Sequence, residues 1–374
     1  MIYSSGSRSH PRLFTDNFST LSDYRRLSKG NIKYSLMEII FLTISAMVSG
    51  ATTYEEIATF GSYKLDWLRQ YFPYKKGTPS HDTLGEFYSR INPKEFGKCL
   101  VSFTEALRHF NTNVVAIDGK TVKGYLAEDG YPLHILSAFC TANSLMLGQE
   151  IVRNGKENEI VAIPRLLDLI CLDGATVTID AMGCQKEIAA KIKSEGADYI
   201  LQVKGNQKYL KENLEDTFSA IRPASEHTSS CVGHGRVETR KCSIIMDLEY
   251  VENAEEWLGL KSLIKIETTI FDKKHKTETE SVRYYISSCL TKAEDMSNNI
   301  RSHWLIESMH WSLDVVYKED NQAKRNAIAI ENANLLSKLS IALLIDEKSK
   351  KKSKPLKRFN AMMDDKYREL LLKL

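Results

Sequence analysis

Two short apolar, β-branched runs in this chain each lead directly into an aspartate. Val114–Ile117 precede Asp118, and Val177–Ile179 precede Asp180. Runs of this kind predict buried strands, so we expect each aspartate at the end of a strand. The wider pattern predicts strands at 114–118, 133–140, 145–152, 175–180 and 198–203, with helices at 157–172 and 184–195. Three strands followed by alternating helices and strands predict a mixed sheet, with an antiparallel meander followed by parallel crossovers.

The segments before and after this region have different patterns of hydrophobic and polar residues. Residues 1 to about 110 have helical spacing, with predicted helices at 34–49, 54–62, 66–72, 81–90 and 93–109. Residues 205–290 hold a polar helix at 207–220 and then strand-like segments at 240–246, 263–271 and 282–288. Helical spacing returns from about 292, in a segment that includes Glu307, and again at 325–345 and 364–374.

This order predicts an α/β fold with the strand order of a ribonuclease-H-like core. We expect a helical N-terminal DNA-binding or interaction domain at 1–110 and a catalytic core made of 111–204 and 291–346. A β-rich insertion at 205–290 interrupts that core, and 347–374 forms a basic C-terminal tail with a short helix. At 374 residues the chain is long enough for two or three such units.

Composition and cysteine usage restrict the class of protein. An apolar fraction of 43% and a charged fraction of 26% are ordinary for a soluble protein. The best apolar run, Leu36–Val48, is interrupted by polar residues and is too short to cross a membrane. The N-terminus lacks the apolar core of a secretory signal, so we expect a cytoplasmic protein. Its seven scattered cysteines predict neither a disulfide framework nor a four-cysteine zinc site.

The net charge of +3 is small, but the cations are unevenly distributed. A basic block near the C-terminus consists of Lys348, Lys350, Lys351, Lys352, Lys354, Lys357 and Arg358. Such a block is either a solvated, mobile linker or a set of phosphate contacts. The sequence supports the two interpretations equally.

Asp118, Asp180 and Glu307 are the candidate catalytic residues. The ends of adjacent strands meet at one edge of an open sheet, and a neighbouring helix can bring Glu307 to the same point. Converging carboxylates repel one another unless a divalent cation lies between them. A pair of such cations is a common device for phosphodiester chemistry. The pattern therefore predicts a metal-dependent nucleic-acid enzyme.

Longer motifs strengthen this interpretation. The segments DGKTVKG, HILSAF, LGQEIV, ENEIVAIPRLL, TIDAMGCQKEIA, GADYILQVKGNQ, GHGRVETR and IRSHWLIESMHWSLDVVYKED follow one another along the chain. In this order they resemble the DDE transposases of bacterial insertion sequences, and more narrowly their H-repeat-associated branch, which is linked to Rhs elements. The resemblance covers nearly the whole chain.

The resemblance implies a ribonuclease-H-like catalytic domain with a β-strand insertion before the glutamate helix. By motif, the family's metal-binding acidic triad falls on Asp118, Asp180 and Glu307. The implied cofactor is two Mg²⁺ ions, for which Mn²⁺ can substitute. The implied reaction is hydrolysis at transposon ends, followed by attack of the freed 3′-hydroxyl on target DNA. The implied partners are DNA, as terminal inverted repeats and target, and a second subunit, which gives a homodimer in the DNA complex.

One signature of related transposases is not kept. They carry Tyr-x2-Arg-x3-Glu-x6-Lys around the glutamate, whereas this chain has Ile300, His303, Glu307 and Asp314 at those positions. Either the phosphate contacts of the arginine and lysine pass to His303, His310 or Arg301, or they are reduced.

Two features near Glu307 allow other interpretations. His303, Glu307 and His310 share one helix face, a spacing that also suits zinc, although the H-E-x-x-H motif is absent. Trp304 and Trp311 are also seven residues apart; we expect at least one in the core, while the other can stack on an unpaired base.

Several cations and amides are candidate DNA contacts. Lys120 and Lys123 follow Asp118, and Lys204 and Asn206 follow the last core strand. Arg236 belongs to the turn Gly233-His234-Gly235-Arg236, which is either a phosphate-contacting loop or a plain hairpin tip.

Three functions remain open from the sequence. The first is a transposase that cleaves and joins DNA. The second is a DNA-binding relic that no longer cleaves, and the third is a two-metal nuclease without strand transfer.

Overall fold

The computed structural model describes residues 12–25, 32–106, 114–126, 132–152, 158–233, 235–322 and 326–374. Of the residues discussed above, His109 and His234 lie outside this part of the chain. The described residues form an α/β molecule in which one mixed sheet is packed against a helical layer.

The N-terminal region is helical, as predicted. Its helices are α1 (Arg12–Phe18), α2 (Leu36–Val48), α3 (Tyr54–Tyr63), α4 (Leu65–Leu68), α5 (His81–Tyr88) and α6 (Pro93–Ala106). Ser35 and Glu38 form a capping box at the start of α2, and Thr53 and Glu56 form another at α3. The sequence pattern did not predict α1, whose Phe14 and Phe18 are buried in an aromatic cluster with Phe41 and Phe103.

The sheet begins with the predicted meander and crossovers. Its first elements are β1 (Val114–Leu126), β2 (Pro132–Cys140), β3 (Leu145–Val152), α7 (Glu159–Leu167), β4 (Thr176–Ile179), α8 (Lys186–Ser194) and β5 (Asp198–Val203). Antiparallel pairing joins β1 to β2 and β2 to β3, and parallel pairing joins β1 to β4 and β4 to β5. Apolar side chains of these strands and of α7 and α8 form a second core on one face of the sheet.

The segment after β5 extends the same sheet. It contains α9 (Lys208–Ala220), β6 (Ser225–Gly233), β7 (Arg236–Ile245), β8 (Ser262–Asp272) and β9 (Thr277–Ser287). Within the described residues the strand order is β3-β2-β1-β4-β5-β9-β8-β7-β6, so the last strand of the insertion pairs directly with β5. The sequence did not predict β6 because it is a polar strand at the edge of the sheet, paired only with β7.

Five more helices follow in the described residues: α10 (Ala293–Ser302), α11 (Trp304–Val315), α12 (Ala327–Asp346), α13 (Lys354–Met363) and α14 (Asp365–Leu372). The single helix predicted from about 292 is therefore two helices that meet at His303. The apolar side chains Ile306, Met309 and Leu313 of α11 belong to the same core as the N-terminal helices.

One helix has a property that the sequence analysis did not identify. Among the described helices, α12 alone is long and apolar enough to cross a membrane, but 83% of its most apolar stretch is buried inside the molecule. Burial of that kind is typical of a core helix, since the helix packs against protein on most of its surface.

Candidate active site

The register of two parallel strands brings Asp118 and Asp180 together. Ile117 pairs with Ile179, so the next residue of each strand is an aspartate at a neighbouring position. Adjacent strands lie about 4.8 Å apart. The prediction that both aspartates end a strand is correct for Asp180 and wrong for Asp118. β1 continues to Leu126 through pairing with β2, and the gap beside Asp118 arises because β4 stops at Ile179.

Glu307 comes from helix α11. The buried face of this helix packs into the helical core, which leaves Glu307 exposed on the side of the sheet edge. A cavity of about 370 Å³ lies there, and Asp118, Asp180 and Glu307 all line it. The rest of its lining consists of Thr178, Ile179, Ile200, Gln202, Lys204, Arg283, Tyr285, Ile300, His303 and Trp304. The three carboxylates predicted from separate motifs therefore share one cavity.

The electrostatics of the cavity reflect crowding of negative charge. Burial raises the pKa of Asp180 above its usual value, and the carboxylates of Glu159 and Asp118 raise it further. Burial lowers the pKa of His303, while Asp118, Glu307 and Asp180 oppose that effect. Each of these carboxylates is thus close enough to influence its neighbours, and a cation between them would relieve the repulsion.

Glu159 is a further carboxylate near the site that the sequence analysis missed. Its Oε1 lies 2.6 Å from Nε2 of His134, whose Nδ1 lies 2.9 Å from Oγ1 of Thr121. A Cβ atom on Gly119 would collide with both Glu159 and His134, so glycine allows this pair to approach the strand of Asp118. Glu159 lies in the first turn of α7, where acidic residues are common in any helix, so its position in the sequence does not mark it as a functional residue.

Two histidines connect α11 to the two aspartate strands. Nδ1 of His303 lies 2.9 Å from Oγ1 of Thr178, two residues before Asp180. Nδ1 of His310 lies 3.3 Å from Oδ2 of Asp118, and its Nε2 is buried without a hydrogen-bond partner in the described residues. The ring of His303, which precedes Glu307 in the sequence, thus approaches Thr178 of β4. The ring of His310, which follows Glu307, approaches Asp118 of β1.

The donor set suits a hard divalent cation better than zinc. Carboxylate oxygens are the preferred ligands of Mg²⁺ and Mn²⁺, and the cavity has space beside all three. In the described residues, no group of three or more His, Cys, Asp or Glu side chains is already arranged to hold a metal ion. The zinc interpretation has little support, because Nδ1 of each histidine faces a protein group, Thr178 for His303 and Asp118 for His310.

The predicted DNA-contacting residues differ in where they lie. Lys204 lines the cavity and is exposed. The Asn206 side chain donates to the Ala181 carbonyl at 2.6 Å, which ties the loop after β5 to the turn after Asp180. Lys123 is an exposed residue of β1. Arg236 begins β7, where it pairs with Gly233 of β6; its exposed side chain has Nε 3.7 Å from Asp272, and its role in binding phosphate stays a prediction.

Two other predicted contacts, Lys120 and Arg301, have protein groups as neighbours. The Lys120 side chain is only 9% exposed, and its ammonium contacts Asp314, Glu319 and Asp320, so we withdraw it as a phosphate contact. Arg301 is exposed, but its guanidinium approaches Sγ of Cys231 on β6 at 4.0 Å and does not line the cavity.

The insertion supplies residues to the cavity that the sequence did not single out. Arg283 and Tyr285 of β9 line it because β9 pairs with β5. Arg240 and Arg283 lie on the ring of Trp304, at 5.8 Å and 5.7 Å from its centroid. The expectation that Trp304 or Trp311 packs in the core is wrong, since the two are 47% and 59% exposed.

The C-terminal basic block is only partly available to a ligand. Lys357 is buried and donates to the Leu344 carbonyl at 2.8 Å. Arg358 is buried and donates to the carbonyls of Met47, Val316 and Ala51 at 3.1, 2.8 and 2.8 Å. The block is therefore not a solvated tail over its whole length, because α13 and α14 pack onto the helical layer.

Comparison with known proteins gives one consistent family. A family model described as "Transposase DDE domain" matches residues 109–343, and one described as "DDE_Tnp_1-associated" matches residues 15–104. The chain is 37% identical over 365 residues to the "H repeat-associated putative transposase YhhI" of Escherichia coli, covering 94% of this chain and 95% of the relative. It is 38% identical over 370 residues to the "Putative transposase YncI" of the same species, covering 96% and 93%. A shorter match, 39% over 75 residues, is to the "Inactive transposase YbfQ" of Escherichia coli, covering 20% of this chain and 87% of the relative.

Proposed function

The chain belongs to the DDE transposase family, and on that premise we propose that it catalyses DNA end cleavage and strand transfer of an insertion sequence with two divalent metal ions. Its substrates are the terminal inverted repeats and a target DNA, and its site of action is the cytoplasmic nucleoid. The core that carries out this reaction is, on this proposal, ribonuclease-H-like.

The observation that carries the proposal is the shared cavity of Asp118, Asp180 and Glu307. Asp118, Asp180 and Glu307 would hold the Mg²⁺ ions, and such ions would supply activation of the attacking oxygen and stabilisation of the leaving oxygen. Burial raises the pKa of Asp180, and the carboxylates of Glu159 and Asp118 raise it further. This supports the proposal, because carboxylates that repel one another favour a cation between them.

The residues around the cavity are suited to a DNA strand. Lys204 and Arg283 place positive charge at its lining, where they can contact phosphates. Trp304 presents an exposed ring beside two arginines at the same cavity, where an unpaired base can stack. His303 and His310 act in this proposal by positioning α11, since their rings contact protein groups.

The alternative of a DNA-binding relic rests on one specific observation. Ile300, His303 and Asp314 replace the tyrosine, arginine and lysine of the signature around the glutamate. A relic would bind terminal repeats without cutting them, and a nuclease without strand transfer would cut them without joining.

A cleavage and joining assay distinguishes the three functions. The full chain is incubated with Mg²⁺, duplex DNA that ends in the inverted repeats flanking its gene, and a target plasmid. We expect cut ends and joined product from the wild-type chain. We also expect cleavage to fall by about 100-fold or more in Asp118→Asn, Asp180→Asn and Glu307→Gln, because neutral amides are poor ligands for hard cations.

Asp216→Asn is the matched control, since Asp216 is an exposed aspartate on α9 that does not line the cavity. It should cleave like the wild type. Binding without cleavage would favour the relic, and cut ends without joined product would favour the nuclease. Full cleavage by any triad variant would remove that residue from the proposed site.

A further inference from the structure

A buried lysine connects the strand of Asp118 to the helix of Glu307. Lys120 lies two residues after Asp118 on β1, and therefore on the same face of the strand. Its Nζ is 2.7 Å from Oδ1 of Asp314, 2.9 Å from Oε2 of Glu319 and 3.4 Å from Oδ1 of Asp320. Its side chain is only 9% exposed and that of Glu319 is 7% exposed, so water screens this pair weakly. Asp314 and Asp320 are more open to water, at 41% and 24% exposed.

The position of Asp314 makes this contact relevant to the cavity. Asp314 follows Glu307 by seven residues on α11, which is two helical turns on the same face. The Lys120–Asp314 pair thus joins the two elements that carry Asp118 and Glu307. This helix position therefore holds the acidic partner of an internal ion pair.

The neighbouring contacts extend the same connection. Oδ1 of Asp320 also accepts a hydrogen bond from the backbone N–H of Lys123 at 3.1 Å. Gly124 has no side chain and packs against the carbonyl of Asp320, where a Cβ atom would collide. Asn334 of α12 donates to Oε1 of Glu319 at 2.6 Å. The turn that follows α11 is therefore held on β1 over several residues.

Without the Lys120 ammonium, the carboxylates around it would lose their cationic partner. Asp314, Glu319 and Asp320 all approach one ammonium group. Removing one partner of a buried ion pair costs more than the pair contributes, because the remaining charge stays buried without compensation. Loss of Lys120 would leave three carboxylates of α11 and its following turn close together where they meet β1.

We propose that Lys120 is a positioning residue that holds α11 and its following turn against β1 and thereby sets the separation between Asp118 and Glu307. The catalytic consequence rests on the proposed function, whereas the positioning of α11 does not.

Hydrogen exchange of the full chain tests the positioning directly, without metal or DNA. We expect amides of residues 304–321 to exchange at least about tenfold faster in Lys120→Met, because α11 loses its ionic connection to β1. Asp314→Asn removes one of the three carboxylates from a partly exposed position, so this variant should fold and show a smaller change in the same segment. The free-energy change reported by exchange in the double variant, Lys120→Met with Asp314→Asn, should be smaller than the sum of the changes in the two single variants, since the two residues interact.

Lys357→Met is the matched control. Lys357 is a lysine whose side chain is also 9% exposed and is paired with Glu347, but it lies on α13 away from the cavity. This variant should lower the melting temperature without a selective effect on residues 304–321. An equal effect of Lys120→Met across the whole chain, or the same selective effect in Lys357→Met, would overturn the proposal.

The second measurement is the Mn²⁺ concentration that gives half-maximal cleavage of a terminal-repeat duplex. A displaced Glu307 should raise this concentration in Lys120→Met by about tenfold or more, while Lys357→Met leaves it unchanged. If the wild-type chain does not cleave, the proposed function fails while hydrogen exchange still decides the positioning. If Lys120→Met cleaves with an unchanged Mn²⁺ requirement, the effect on Glu307 is refuted.

Discussion

Trp304 is the residue at which aromatic and positive groups meet beside the acidic cavity. Its ring is 47% exposed, and the guanidinium groups of Arg240 of β7 and Arg283 of β9 lie 5.8 Å and 5.7 Å from its centroid. Trp311 is similarly exposed and lies on the same helix, but it does not line the cavity. An exposed ring flanked by guanidinium groups can take a base on its face while the arginines contact the backbone.

We therefore expect Trp304→Ala to weaken binding of a terminal-repeat DNA that has unpaired nucleotides at its end. The loss should be about 1–3 kcal/mol of binding free energy, the usual contribution of one stacked base. Fluorescence anisotropy at one fixed salt concentration measures it, with Ca²⁺ in place of Mg²⁺ to prevent cleavage. Trp311→Ala is the control and should bind like the wild type; equal losses in the two variants would argue against a specific stacking position.

At the scale of elements, α13 joins helices that are far apart along the chain. Arg358 donates to Met47 and Ala51 at the end of α2 and to Val316 at the end of α11, and its guanidinium lies 4.3 Å from the ring centroid of Tyr317. A cation at the C-terminal ends of two helices also satisfies carbonyls that have no partner within the helix. Arg358 thus stabilises the end of the helix that carries Glu307.

We expect Arg358→Met to lower the free energy of unfolding by about 2 kcal/mol or more, because the buried carbonyls of Val316 and Ala51 lose the guanidinium donor while that of Met47 keeps the Gly50 N–H. Urea unfolding followed by circular dichroism measures the change. Lys351→Met belongs to the same basic block but is exposed, so it should leave the stability within about 0.5 kcal/mol of the wild type. Equal stability of both variants would show that Arg358 is not a structural cation.

At the scale of the whole molecule, joining two transposon ends in one event requires two active sites held together. The apolar helix α2 is a poor surface for a second subunit, because its residues Ile39–Val48 are buried. The expectation of a dimer therefore rests on the logic of the reaction and not on this helix.

We expect the complex with terminal-repeat DNA to contain at least two copies of the chain. Light scattering in the presence of Ca²⁺ gives the mass of the complex without cleavage. The free protein can be a monomer, because DNA supplies much of the energy of assembly. Full coupled strand transfer by a complex of one chain with one DNA end would contradict the prediction.

The local sequence pattern was sufficient to predict several secondary-structure elements and the three candidate acidic residues. The β-branched runs before Asp118 and Asp180 predicted β4 and the beginning of β1, because apolar character and burial are encoded within a few residues. The helices predicted at 34–49 and 81–90 agree with α2 and α5, which begin after the capping residues Ser35 and Ser80. The three acidic residues were identified from motifs that each lie within one short segment.

Only the tertiary structure decided what each charged side chain contacts. Lys120 and Arg283 look alike as exposed cations in the sequence, yet the first is neutralised by carboxylates about 200 positions away and the second lines the cavity. Arg358 looked like part of a solvated block and instead holds two helix ends together. The edge strand β6 is similarly absent from the pattern, since its polar residues become a strand only by pairing with β7. Burial patterns repeat every few residues and can therefore be recognised in the sequence. Ion pairs and edge-strand pairing depend on partners distant in the chain, so only the folded arrangement could reveal these contacts.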